Sequence, residues 1–137
     1  NIMYSYLIYQ RPMDKKFQDE LNGSALTPRK KAYFDLHMMP TGIAAENAVV
    51  SAIEHDLYKP TIFMSGTGQR KRDILEHIFA EGNGHGGGEL NSYDLRPHSS
   101  LSVGDLAVSL DDNTTHVCMN MGWHQLSKTT LNLSTGE

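Results

Sequence analysis

A single cysteine, Cys118, stands among 137 residues. No intrachain disulfide is available, so stability has to come from a packed core, which a domain of this size supplies by burying roughly two-thirds of its unfolded surface. Apolar runs are short: none approaches the ~20 residues that cross a bilayer, and the first residues lack the charged, apolar and small-residue regions of a signal peptide. A reducing cytoplasm is the expected compartment, with no membrane partner. Basic residues are in deficit, 12 Lys and Arg against 16 Asp and Glu for a net charge of -4, which argues against broad, sequence-independent binding to nucleic acid. Nor is there a G-x-S-x-G elbow for a nucleophilic serine, or a C-x-x-C, H-x-x-x-H or H-E-x-x-H spacing for a metal.

What is present is the patterning of one α+β domain over residues 1–137. Residues 3–9, MYSYLIY, are aromatic and β-branched and are stopped by Arg11-Pro12, which reads as a central or near-central strand. Asp14 can cap a short helix carrying Phe17 and Leu21, and Thr27-Pro28 is a sharp helix start, with Ala32, Leu36 and Met39 following until Pro40. Thr41-Gly42 opens a helix whose stripe is Ala45, Ala48, Val49, Ala52 and Ile53. Residues 61–64 form a short strand, and Ile74, Leu75, Ile78 and Phe79 mark a further helix with Gly82 as its left-handed exit. Residues 82–88, GNGHGGG, read as a flexible loop.

The C-terminal third predicts a β-hairpin. Leu106, Val108 and Leu110 alternate, 111–114 supply turn chemistry, and Val117, Met119 and Met121 resume the alternation. Trp123 shares their parity and is expected as a packed anchor on the same face. Leu101 and Val103 have the opposite parity to Leu106, which requires a bulge or bend at Gly104. The expected architecture is a set of helices on one face of a small mixed or antiparallel sheet that ends in this hairpin.

Chemistry is sparse. The strongest candidate is an anion site at Ser65, Gly66, Thr67, Gly68, Arg70, Lys71 and Arg72, where a glycine-containing turn leads from a strand into a helix N-terminus. This run matches neither a Walker A loop nor a dinucleotide fingerprint, and a plain loop with a solvated basic face is the competing reading. His116 and Cys118 fall on one strand face and are the weaker metal candidates, with exposed histidines and a buried thiol as the alternative. Asp111 and Asp112 read first as turn residues and Asp105 as a bulge or strand-start residue, with acidic ligands or general bases as the alternative. The basic run 29–31 reads as the solvated side of a helix's first turn. No cofactor and no catalytic residue is expected.

The run Ser100-Leu101-Ser102-Val103-Gly104-Asp105-Leu106, followed by Gly122-Trp123, resembles the S-x-S-V-G/S-D-hydrophobic, then G-aromatic, pattern of small YodL-like domains of phages, plasmids and other mobile elements. It covers residues 98–126. The resemblance implies a compact β-rich module in an accessory protein and brings no enzymatic residues with it. The resulting expectation is a non-enzymatic accessory binding protein that docks on a host macromolecule, most simply a protein. The alternative is a nucleotide- or nucleic-acid-binding protein that uses the 65–72 turn.

Overall fold

The computed structural model describes residues 2–68 and 70–127. Within them the chain runs β1 (Ile2–Gln10), α1 (Lys15–Asn22), α2 (Pro28–His37), α3 (Gly42–Glu54), β2 (Lys59–Gly68), α4 (Lys71–Gly82), β3 (Leu90–Asp94), β4 (Leu106–Ser109), β5 (Thr115–Cys118) and β6 (Trp123–Gln125). The strands join one sheet in the order β3-β2-β1-β4-β5-β6, every pair antiparallel. This is a compact α+β domain with β1 central and the expected hairpin formed by β4 and β5. None of the described helices is long and apolar enough to cross a membrane.

Helix starts follow their local signals. The Asp14 carboxylate accepts from Phe17 N at 2.8 Å and the Thr27 hydroxyl accepts from Lys30 N at 3.1 Å, each satisfying a donor that the helix cannot. Arg29 and Lys30 are not the solvated face expected of them. Arg29 pairs with Glu20 at 2.8 Å, donates to the carbonyls of His55 and Asp56, and lies over the Phe17 ring, while buried Lys30 donates to Gly23 O. Both cations therefore tie α2 to neighbouring turns.

Neighbouring residues of a strand point to opposite faces, and β1 is apolar at both parities. Leu7 and Tyr9 pack with Phe17, Leu36, Val49 and Leu106, so α1, α2 and α3 cover one face. Tyr6 and Ile8 pack with Ile62, Met64, Ile74 and Ile78, which puts α4 on the other. The placement of all helices on one face is thus corrected for α4: with both faces of β1 apolar, both need a cover.

Three further differences concern single elements. The strand expected at 61–64 continues to Gly68, so residues 65–68 are not a turn. Glycine there makes room: a Cβ on Gly66 would lie 2.7 Å from Glu89 O, and one on Gly68 would lie 2.7 Å from Ile74 Cδ1. The left-handed residue after α4 is Gly84 (φ 78°), two positions beyond the one expected. Finally, the chain reverses through Gly122 (φ 79°), where Met119 N donates to Gly122 O at 2.8 Å, and β6 folds back on β5. Trp123 therefore pairs with Cys118 and packs half-buried on the α4 face, opposite Val117. The bend at Gly104 is present, with φ 95° and Leu101 and Leu106 in opposite cores.

Candidate binding cleft

Strand direction gathers the most distinctive set of charges. Both β1 and β3 run antiparallel to β2, so they are parallel to each other and finish at the same end of the sheet, on either side of the residue where β2 begins. Arg11-Pro12 follows β1, Arg96-Pro97 follows β3 by one residue, and Lys59 starts β2 between them. A residue before proline is held extended and proline cannot continue a ladder, so each Arg-Pro pair projects an arginine just past its strand. The three cations line a cleft of about 440 Å³, together with His98, the Asp14 carboxylate and the apolar walls Pro12, Met13 and Pro97.

Behind the lining residues Gln10, Arg11 and Thr61 lies a buried polar network. Gln10 Nε2 donates to Asp105 Oδ2 at 2.9 Å and to the carbonyls of Ser99 and Ser100, while its Oε1 accepts from Thr61 Oγ1 at 2.7 Å. Ser102 N also donates to Asp105 Oδ2 at 2.8 Å, and Tyr58 OH donates to Gly104 O at 2.6 Å. Arg11 donates to Val103 O at 2.8 Å and stands 4.0 Å from Asp105 Oδ1. Its guanidinium lies over Gly104, where a Cβ would come within 2.9 Å of Nη2, so this glycine supplies both the left-handed backbone and the space. Lys59 pairs with Asp56 at 2.9 Å.

Asp105 and His98 are both shifted upward, for different reasons. Asp105 is 3 % exposed, and that burial pushes its carboxyl up to about 6 against the lowering effect of the bonds from Gln10 and Ser102 and of the Arg11 charge. Burial of His98 opposes its charged form, but its bonds to Ser99 O and to Asp94 at 2.9 Å outweigh this and raise its pKa above the ordinary value. The ring is accordingly biased toward the imidazolium beside the arginines.

The residues singled out by sequence lie elsewhere. Ser65 and Gly66 are hydrogen-bonded into the sheet between β1 and β3, and Thr67 and Gly68 pair with β1. Arg70 is the N-cap residue of α4 and pairs with Asp73 at 3.3 Å, and Lys71 and Arg72 occupy the helix's first turn. Only the last three remain near a helix N-terminus. His116 and Cys118 are buried in β5, and burial first, with the Asp105 charge second, pushes the Cys118 thiol up to about 12, far from a thiolate. Among the described residues no three His, Cys, Asp or Glu side chains gather as metal ligands. A second concavity of about 380 Å³ on the α4 face brings Arg72, His116 and Trp123 together.

In sequence Asp105 is a bulge or strand-start residue, and no spacing joins Arg11, Lys59, Arg96 and His98. One signal was available: the dipeptide Arg-Pro occurs twice, each time just after a strand. No family model, curated protein or solved structure matches the chain.

Proposed function

We propose that this chain is a non-enzymatic accessory binding protein, of the kind carried by phages and other mobile elements, that docks on a host protein through the cleft at the shared end of β1, β2 and β3. The observation that carries this reading is the convergence of Arg11, Lys59 and Arg96 from three chain segments on one cavity. A volume of this size suits a small group or a few side chains of a partner. The buried polar groups beneath it are committed to holding backbone: Asp105 and Gln10 to residues 99–102 and Tyr58 to Gly104. That arrangement pre-organises a surface. The resemblance to YodL-like domains, whose pattern includes Gly104 and Asp105, supports the same reading, since Asp105 bonds to Gln10 and Gly104 lies under Arg11, both of which line the cleft.

The test compares immobilised wild-type chain with a Lys59→Gln, Arg96→Gln double variant in bacterial lysate, with and without nuclease. A protein retained by the wild type, insensitive to nuclease and lost from the variant is the expected result. Retention that nuclease abolishes favours the nucleic-acid reading at Ser65 to Arg72, and equal retention by both chains removes the cleft from the function.

A further inference from the structure

Resting on the binding role of this cleft, we infer that its ligand is an acidic peptide segment in which a carboxylate side chain adjoins an apolar one. Three observations select this class. First, Arg11, Lys59 and Arg96 reach the cavity from adjacent strands. Neighbouring strands are ~4.8 Å apart, so the cations form a row across the strand ends and not a single point. A row suits an extended chain with a carboxylate on it, and arginine receives carboxylate oxygens through paired donors.

Second, part of the remaining wall is aliphatic, beside the polar Gln10, Thr61 and Ser99 and the Asp14 carboxylate, which is engaged as the cap of α1. Pro12, Met13 and Pro97 stand beside the cations, and Met13 is 64 % exposed. An inorganic anion would leave these side chains uncovered, whereas an apolar residue next to the carboxylate covers them. Third, no Phe, Tyr or Trp is among the described residues lining the cavity. A nucleobase would find only the small His98 imidazole as a ring on which to stack, and the net charge of -4 works against long polyanions. The one indole of the protein lies in the separate concavity with Arg72. A nucleotide would therefore report its binding at Trp123 and not at the Arg-Pro loops.

The experiment is an NMR titration of the whole chain with the pentapeptide Ac-Gly-Glu-Leu-Asp-Gly-NH2, its Gln/Asn counterpart Ac-Gly-Gln-Leu-Asn-Gly-NH2, and AMP. The acidic peptide is expected to move the backbone amides of Arg11, Met13, Arg96 and His98 in a saturable way, with affinity falling as salt rises. The neutral peptide should bind roughly tenfold more weakly or worse. Lys59→Gln and Arg96→Gln should each weaken the acidic peptide by a similar factor while the spectrum elsewhere stays that of the wild type. Equal shifts with both peptides, or no shift with either at millimolar concentration, would overturn the ligand class. Saturable movement of the same four amides by AMP alone would also overturn it, yet would leave the cleft as the binding site. Loss of the cleft's role itself is read separately, from equal lysate retention by wild type and double variant.

Discussion

Strand β2 begins and ends in contrasting surroundings. At its first residues, Lys59 and Thr61 border a cleft because the chain leaves β1 and β3 at that level through Arg-Pro pairs. At its last residues, Ser65 and Gly66 are bonded to strands on both sides, and Ile74 of α4 closes over Gly68. The glycine-rich, basic end has the composition of an anion site, while the other end gathers Arg11, Lys59, Arg96 and His98 around a cavity. Glycine serves two masters in such a sequence: it permits a turn or a bound phosphate, and it also lets another backbone or side chain pack closely. At 66 and 68 the second use applies.

The largest expected effect comes from opening the closed end. Ile74 is fully buried over Gly68, and Ile74→Ala should cost ~2–5 kcal/mol of stability, read by chemical denaturation. A loss below ~1 kcal/mol would mean that α4 does not seal this end of the sheet.

Acid–base behaviour belongs to the open end. Burial raises the Asp105 carboxyl from 3.8 to about 6, so the folded state binds its proton more tightly than the unfolded chain does. Its contribution is fully present below pH ~4 and is lost as pH rises through about 6. The difference corresponds to ~3 kcal/mol at most. Melting temperatures measured between pH 4 and 7 should carry this decline in the wild type. Asp105→Asn, whose amide oxygen can still accept from Gln10 and Ser102, should flatten it. An unchanged profile in that variant would assign the titration to another group.

A smaller effect is expected at Gly66. Gly66→Ala places a methyl group against Glu89 O and should cost ~1–3 kcal/mol. If 66–68 were instead an open turn that admits an anion, the alanine would be tolerated, and this substitution separates the two uses of glycine.

Much of the architecture could be read from sequence because its signals are local. Asp14 and Thr27 cap their helices within three residues, and the change of parity between Leu101 and Leu106 requires the bend found at Gly104. What could not be read depends on distant partners. In β3 only Leu90 is buried, so its sequence shows no alternation, and β6 is three residues long. The face of Trp123 depends on a reversal at Gly122, and the second helical cover depends on where α4 returns. The cleft is the extreme case. Arg11, Lys59 and Arg96 are neighbours only because two strands flank a third in the opposite direction.

The smallest stability effect and the sharpest functional one belong to the charges themselves. Lys59→Gln with Arg96→Gln, and Arg70→Gln with Lys71→Gln and Arg72→Gln, should each change stability by less than ~1 kcal/mol, since part-exposed pairs such as Lys59–Asp56 and Arg70–Asp73 contribute little. Their affinities for Ac-Gly-Glu-Leu-Asp-Gly-NH2, measured side by side by calorimetry, test most directly which end of β2 binds. Cleft binding predicts at least a roughly tenfold loss for the 59/96 pair and wild-type affinity for the 70/71/72 triple. Wild-type affinity in the pair together with loss in the triple would contradict it and place the site at the start of α4.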